Sequence, residues 1–211
     1  MKFKLALILL MTTLCLAPGC QASGLKSEQY QNAYEKIQNV LVNLQTYKCE
    51  ATVEYKSNKG SNVYDTLQKC KISGEYRVEV TGPEKVAGNI TLSDGKTIYQ
   101  FNTRIAGKIA VATKESQERS EIFLTSFIKN YLKSQEVSVS VSKIAGDPCT
   151  VMEAQIPGDH PYLSTEKLWV DNASLLPVKL IIYDQQGSER IIVTYKSFQY
   201  NVALDDAEFK A

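Results

Sequence analysis

Hydrophobic and polar residues alternate along several stretches of the chain, most clearly between residues 166 and 209. Leu168 and Val170 alternate with their neighbours, as in a strand with one buried face. Residues 178–183 and 191–200 are apolar runs rich in β-branched residues, and each follows a turn made of Asp, Asn, Gln, Ser or Gly. These patterns predict three strands of an antiparallel meander.

The same alternation predicts strands in the first half of the chain. Residues 47–56 alternate strictly, and Cys49, Ala51 and Val53 share one face. Asp94-Gly95 is the strongest hairpin signal in the sequence. Together these signals indicate further antiparallel strands. The predicted strands are 63–72, 75–80, two strands within 89–101, 109–112, 137–141 and 150–156, with a turn at 58–61, a turn at Asp147-Pro148 and a loop at 157–165.

Two stretches, residues 27–46 and 115–134, have helical periodicity instead. Each repeats apolar side chains three and four positions apart, and Ser27 is a suitable N-cap for the first helix. Each helix therefore has one apolar face that a sheet can cover. The positions on these faces are Tyr30, Ala33, Tyr34, Ile37, Leu41 and Leu44 in the first helix, and Ile122, Leu124, Phe127, Ile128, Tyr131 and Leu132 in the second.

About ten to eleven strands and two helices predict an α+β fold. Successive strands joined by hairpin turns form an antiparallel sheet. One long curved sheet, a half-barrel with both helices packed on its concave side, would bury both apolar helix faces at once. We expect a single domain of this kind over residues 27–211, because no internal repeat or linker interrupts the pattern.

Residues 1–19 are predicted to be a signal peptide and not part of the fold. Lys2 and Lys4 precede an apolar run at 5–17, which is too short to span a bilayer comfortably. Removing these two lysines leaves 22 basic and 23 acidic residues in the 192-residue mature chain. The resulting net charge of −1 gives no indication of the basic face that nucleic-acid binding needs, so we expect no nucleic-acid partner.

The small residues before Cys20 are typical of bacterial lipoproteins, in which this cysteine becomes the lipidated first residue. We therefore expect palmitate on Cys20, a lipidated tether over residues 20–26, and export to a membrane surface. Cys15 is a poorer candidate because bulky Leu14 precedes it. Ordinary secretion, with cleavage close to residue 22 or 23, is the alternative.

Residues suited to catalysis are scarce. The single histidine, His160, lies in a predicted loop next to a proline, where a solvated side chain is the simpler interpretation than a general base. Asp205-Asp206 and Glu208 could attract a cation, but calcium needs six or more arranged oxygen ligands. No nucleophile elbow, zinc-helix motif or phosphate-binding glycine loop occurs. The sequence therefore predicts a protein that is not an enzyme, with no metal and no cofactor other than the lipid.

Cys49 and Cys70 would face each other if Lys59-Gly60 formed the centre of a two-residue hairpin turn. Side chains approach most closely at such a non-hydrogen-bonded pair, so the register would allow a disulfide. A shifted register would leave two buried free thiols instead. Cys149 would stay unpaired in either case.

A series of residues near the carboxyl end has a characteristic order and spacing. It consists of Trp169-Val170-Asp171, Leu176-Pro177, Asp184, Gly187, Asn201, Leu204-Asp205 and Phe209. These residues resemble the carboxyl end of the LolA/LolB-like lipoprotein carriers, a fold family with a curved sheet and two covering helices. The resemblance implies the same architecture for nearly all of the mature chain.

The complete chain also resembles the GerS family of clostridial germination lipoproteins. That resemblance implies a spore-envelope protein that binds and activates CwlD, a cortex N-acetylmuramoyl-L-alanine amidase needed for muramic-δ-lactam formation and germination. The alternative is a carrier or sensor of lipoproteins or other apolar ligands, as the lipoprotein carriers suggest. A homodimer is a further option.

The two functions differ in what they require of the space between helices and sheet. A carrier needs an apolar cavity, whereas a partner-binding protein does not, and empty apolar space is destabilising. Tyr30, Tyr34, Phe127 and Tyr131 are bulky enough to fill it, so we expect a filled or strongly reduced cavity. We also place Trp169 on the inner face of a central strand, with its neighbour Leu168 pointing outward or into a second layer.

Overall fold

The computed structural model describes residues 21–104, 108–112 and 120–210, with side chains from residue 30 onward except at 108–112. The predicted signal peptide and Cys20 lie outside the described residues. Helix α1 (Gln21–Val42) comes first, and six strands follow it. They are β1 (Thr46–Ser57), β2 (Gly60–Lys71), β3 (Tyr76–Gly82), β4 (Asn89–Ser93), β5 (Thr97–Asn102) and β6 (Lys108–Ala112).

Helix α2 (Leu124–Lys133) separates these strands from the second half of the sheet. The chain ends in a 3-10 helix, Asp206–Phe209. Between them lie β7 (Val137–Ile144), β8 (Asp147–His160), β9 (Leu163–Asp171), β10 (Pro177–Tyr183) and β11 (Glu189–Tyr200).

The eleven described strands form one sheet in the order β6-β5-β4-β3-β2-β1-β11-β10-β9-β8-β7. Neighbouring strands are antiparallel throughout, as hairpin connections require. The first and last strands meet in the middle because β1 pairs with both β2 and β11. The predicted α+β fold, one open antiparallel sheet with two helices, is confirmed.

The hydrophobic core lies on one face of the sheet, the inner face, where both helices pack. Ile37 and Leu41 of α1 and Phe127 and Leu124 of α2 are fully or almost fully buried there. Burying a large apolar side chain stabilises a fold by about 1.5–3 kcal/mol, so these contacts hold the helices on the sheet. The inner-face strand residues of the same core include Cys49, Ala51, Val53, Leu168, Val170, Leu180, Ile182 and Val193.

Helix α1 begins earlier than the sequence predicted. It starts at Gln21, so residues 21–26 of the expected tether are helical, and Ser27 lies within the helix and not at its N-cap. The Gln, Ala, Leu and Lys residues before Ser27 favour helix, and no proline interrupts them. The helix ends at Val42, four residues before the predicted end.

Helix α2 is shorter than predicted over the residues described. It starts at Leu124, because Ile122 and Phe123 are buried outside the helix and the Phe123 amide donates to the Ser120 carbonyl in a turn. The predicted apolar face of α2 is otherwise buried. Leu132 is the exception, with 62% of its surface exposed.

The turn between β1 and β2 differs from the prediction by one residue. Ser57 pairs with Gly60, so Asn58-Lys59 is the centre of the turn and not Lys59-Gly60. The Ser57 hydroxyl accepts from the Lys59 amide and donates to the Gly60 carbonyl. Gly60 has φ +136°, a conformation that L-residues with a side chain rarely adopt. These local contacts favour the observed turn, which changes every cross-strand pair of the hairpin.

Two other predicted connections are also wrong. The turn between β7 and β8 is Ala145-Gly146, both with positive φ, which matches the twist of a two-residue hairpin. Strand β8 therefore already includes Asp147-Pro148, the residues predicted to turn. The predicted loop at 157–165 belongs mostly to β8 and β9, because His160 pairs with Leu163.

The carboxyl-terminal residues pack on the face opposite the helices, the outer face. Phe209 is buried, and the Lys71 ammonium lies 4.8 Å from the centre of its ring. Lys71 also pairs with Asp206, and Lys69 with Glu208. These acidic residues therefore hold the 3-10 helix against β2.

Candidate functional site

An irregular groove of about 950 Å³ lies over the inner face of strands β1 to β5. Ile122 and Phe123, which precede α2, also line it, but none of its described lining residues belongs to α1 or α2. The groove therefore occupies the part of the inner face beyond the helix-covered core. Its size is within the range of small-molecule binding sites, about 300–1,000 Å³.

Strand register determines which side chains enter the groove. Gln68 pairs with Val78, Val78 with Thr91, and Thr91 with Gln100, so these residues form one row across the inner face. Gln68 is fully buried at the core end of the row, and Gln100 is exposed at the other end. The row thus leads from the closed core to solvent.

Aromatic rings form two close pairs along the groove. The rings of Tyr55 and Tyr64 are 6.0 Å apart between centroids and nearly perpendicular. Those of Tyr76 and Phe123 are 4.6 Å apart, and Phe123 is almost completely buried. Pairs of this geometry contribute beyond their burial, so the aromatic wall is a stable part of the fold.

The described groove lining contains no charged residue. It combines aliphatic side chains with aromatic rings, amides and hydroxyls. The amides and hydroxyl-bearing side chains are Asn62, Asn89, Gln100, Thr66, Thr91, Tyr55, Tyr64 and Tyr76. The site could therefore hold a neutral ligand that has both apolar and hydrogen-bonding surface.

Beneath the helices the inner face is closed. The rings of Phe127 and Tyr131 stack at 5.7 Å, and the hydroxyls of Tyr131 and Tyr34 are 2.8 Å apart. The hydroxyl pair links α1 to α2, and within α1 the Gln38 amide donates to the Tyr34 hydroxyl over 2.7 Å. Burial, followed by the hydrogen bond with Tyr34, raises the pKa of Tyr131.

The four bulky residues predicted to fill the cavity lie in this closed half. Phe127 and Tyr131 are core residues, Tyr34 packs at the core edge, and Tyr30 is half-buried. None of them lines the groove. The expectation of a filled cavity thus describes the space beneath the helices but is wrong for strands β1 to β5.

Glu166 on β9 carries a buried carboxyl group that faces α2. The Asn130 side chain donates to its Oε1 over 2.8 Å, while its Oε2 has no hydrogen-bond partner among the described residues. Burial raises the pKa of Glu166 to about 8, more than the Asn130 hydrogen bond lowers it. The buried Tyr195 hydroxyl also lacks a partner there. Glu166 is therefore protonated in the folded protein below about pH 8.

Cys49 and Cys70 do not face each other. Cys49 pairs with Gln68, and Cys70 with Tyr47, so the two cysteines are diagonal neighbours on the inner face. Diagonal positions are about 7–8 Å apart, beyond the usual Cα separation of a disulfide. All three described cysteines, including Cys149, are free and buried. Burial raises the pKa of Cys70 to about 12, so its thiol is protonated.

Trp169 does not occupy the predicted inner face. Leu168 and Val170 are fully buried in the core, so Trp169 between them points to the outer face and is only partly buried. The side chain of its β8 partner, Val151, is buried on the same outer face. The alternation of Leu168 and Val170 indicated the correct orientation, so the predicted inner-face position of Trp169 is wrong.

The remaining polar candidates are structural or exposed. His160 is exposed, and its Nδ1 accepts from the Tyr162 amide. Asp206 and Glu208 pair with lysines, as described above. Within the described residues, no three His, Cys, Asp or Glu side chains are grouped so that they could hold a metal ion. In that same part of the chain, no helix is both long and apolar enough to cross a membrane.

The groove residues were not predicted from the sequence. Thr91 and Gln100 occupy inner-face positions where a fully buried sheet would have apolar side chains, and this break in the pattern was the available signal. These polar positions indicate a groove only once it is known which strands the helices leave uncovered.

An open antiparallel sheet with two helices on one face is the architecture that the resemblance to the LolA/LolB-like carriers implied. The family model for sporulation proteins of the YdcC-like type matches residues 2–209, and the chain belongs to that family. No curated protein matches it significantly in sequence.

Several solved structures are similar to this chain. A chain in the structure of the CwlD amidase from Clostridioides difficile in complex with the GerS lipoprotein is 29% identical, with a TM-score of 0.51. The match covers 81% of this chain and 95% of that one. An uncharacterized conserved protein from Thermus thermophilus is 11% identical, with a TM-score of 0.52 and coverages of 86% and 93%. A LolA superfamily protein from Nitrosomonas europaea is 16% identical, with a TM-score of 0.45 and coverages of 86% and 97%.

Proposed function

We propose that this protein is a non-enzymatic, exported lipoprotein of a spore-forming bacterium that binds and activates a cortex N-acetylmuramoyl-L-alanine amidase of the CwlD type. The observation that carries the proposal is the 29% identity to a chain of the amidase–lipoprotein complex over 95% of that chain. Membership of a sporulation family supports the same biological setting.

The helix-covered half of the molecule is consistent with a rigid binding partner. The hydroxyl pair of Tyr34 and Tyr131 and the stacked ring of Phe127 fix both helices on the sheet. A surface that is already ordered loses little conformational entropy on binding. In this proposal the amidase contributes the catalytic residues, and the lipoprotein contributes binding energy and a lipid anchor at Cys20.

Deleting the gene in the sporulating host tests the proposal. We expect muropeptides from the mutant cortex to lack muramic-δ-lactam, and the spores to germinate poorly, because the amidase stays inactive. Expression of the full chain from another locus should restore both. Normal lactam content in the deletion strain, with the amidase gene intact, would contradict the proposed function.

The groove favours a second candidate function, a carrier or sensor of an apolar ligand. A cavity of about 950 Å³ with aliphatic and aromatic lining could admit an acyl chain. Stoichiometric binding of a fluorescent fatty acid, competed by unlabelled lipid, would support this candidate. We expect weak binding or none, because the lining also contains amides that an acyl chain would leave unpaired.

A further inference from the structure

Three polar side chains in the groove are free to contact a ligand. Within the described part of the chain, the side chains of Asn62, Thr91 and Gln100 have no hydrogen-bond partner. Asn89, which also lines the groove, already accepts a hydrogen bond from the Asn102 amide over 2.6 Å. Asn62 and Gln100 are exposed and Thr91 is half-buried. Each side chain can both donate and accept hydrogen bonds.

These polar groups lie beside flat apolar surface. Tyr64 is half-buried and lines the groove together with Val53, its partner on β1, and Val78 lies in the same row as Thr91 and Gln100. An amide covered by an acyl chain would lose its water without gaining a partner, which is unfavourable. A ligand that fits this lining presents an apolar face to the rings and hydroxyl or amide groups to the polar row.

The described groove lining contains no charged residue, and this favours a neutral ligand. A peptide with free carboxylates would leave its charges without partners in the groove. Peptides bound as an added strand use a sheet edge, whereas this groove lies on a sheet face. Sugars have an apolar C–H face and many neutral hydroxyls, and N-acetylated sugars add an amide that pairs with Asn or Gln.

We propose that the groove over β1 to β5 binds a neutral, N-acetylated glycan chain. Tyr64 stacks on a sugar ring, and Thr91 and Gln100 hydrogen-bond its hydroxyl and acetamido groups. Removal of a stem peptide by the amidase leaves a lactyl carboxylate on the muramic acid, so a cortex strand is neutral only where that carboxylate has been closed into the muramic-δ-lactam, and the acetamido groups then come from the intervening N-acetylglucosamine residues. The identification of the ligand with such a strand rests on the proposed function. The protein would then contact both the amidase and the strand.

Isothermal titration of the mature chain with the tetramer of N-acetylglucosamine tests the proposal. We expect saturable binding, weakened about five- to tenfold by Gln100→Leu, which keeps the side-chain volume but removes one set of hydrogen bonds. Tyr64→Ala should weaken it as well. Gln199→Leu, an exposed glutamine on β11, serves as the matched control and should bind like the wild type.

The inference would be overturned if the wild type did not bind the tetramer, or if the wild type and Gln100→Leu bound it equally. It would also be overturned if lipid, but not the tetramer, displaced a fatty acid bound in the groove. Binding of a free stem peptide in preference to the tetramer would overturn it too. The amidase is absent from this titration, so its outcome is independent of whether the protein activates the enzyme. Gln100 is exposed, so its replacement leaves the fold intact.

Discussion

At the scale of single residues, Glu166 is a buried carboxyl group, and one of its oxygens has no hydrogen-bond partner among the described residues. Glu166 is fully buried, and its pKa is raised from 4.5 to about 8, first because burial disfavours the charged form. Asn130 satisfies only one carboxyl oxygen. Ionisation would place a negative charge in the core beneath α2, so the folded state retains the proton that the unfolded chain releases.

The pH dependence of stability follows from this difference. The stabilising contribution of protonated Glu166 is complete below pH 4.5, the unfolded value, and is lost as pH rises through about 8. Between pH 5.5 and 8.5 we expect the free energy of unfolding of the wild type to fall by up to about 3 kcal/mol relative to that of Glu166→Gln. The figure follows from about 1.4 kcal/mol per pKa unit. Urea unfolding at both pH values measures it.

Glu136→Gln is the matched control for this prediction, because Glu136 is exposed. It should follow the wild-type pH dependence. Equal pH dependence of the wild type and Glu166→Gln would show that Glu166 ionises normally in the folded protein.

The buried cysteines lead to a second prediction at the residue scale. Cys49 and Cys70 are free and diagonal across the β1–β2 hairpin, and burial raises the pKa of both thiols. Since the thiolate is the reactive form, a thiol reagent should modify them slowly in the native protein and rapidly in urea. Peptide mapping of the exported protein without reduction should find both as free thiols. A Cys49–Cys70 linked peptide would contradict the observed register.

At the scale of elements, alternation located the strands, but short-range signals could not decide how they pair. Asn58-Lys59 and Lys59-Gly60 are both acceptable turn centres, and the choice depends on the Ser57 hydroxyl and the φ of Gly60. A shift of one residue changes every cross-strand partner. Helix ends were uncertain for a related reason, because burial of Ile122 and Phe123 against the sheet overrides the helical pattern.

Strand β9 gives a direct test of its orientation. Leu168 is completely buried in the core, so Leu168→Ala should destabilise the protein by about 2–5 kcal/mol. Trp169→Ala should be less damaging, although it removes a larger side chain, because Trp169 is only partly buried on the outer face. Urea unfolding of the two variants measures the difference. A larger loss for Trp169→Ala, together with a tryptophan that acrylamide does not quench, would place the indole in the core.

At the scale of the whole molecule, the two halves of the sheet differ in how they are covered. The helices close the inner face where Phe127 and Tyr131 pack, and leave a groove over β1 to β5. The sequence predicted the class of fold because hairpin turns and two apolar helix faces allow few alternatives. It could not predict the groove, since helix position depends on contacts between residues distant in the chain, such as Tyr34 with Tyr131.

Membrane attachment is a property of the whole chain that the sequence predicts at Cys20. We expect Cys20→Ser to abolish incorporation of labelled palmitate and to release the protein from the membrane fraction. Cys15→Ser is the matched control and should be labelled normally. Labelling that persists in Cys20→Ser, or disappears in Cys15→Ser, would show that the lipidated residue has been assigned wrongly.

The most direct measurement is the rate at which the purified amidase of the same organism cleaves peptidoglycan, with and without this protein. We predict that the rate rises and then saturates as the protein is added, and that the two proteins elute together in gel filtration. Heat-denatured protein should have no effect. An unchanged rate with no complex, from a protein that binds a fatty-acid probe stoichiometrically, would contradict the activator function and identify a carrier instead.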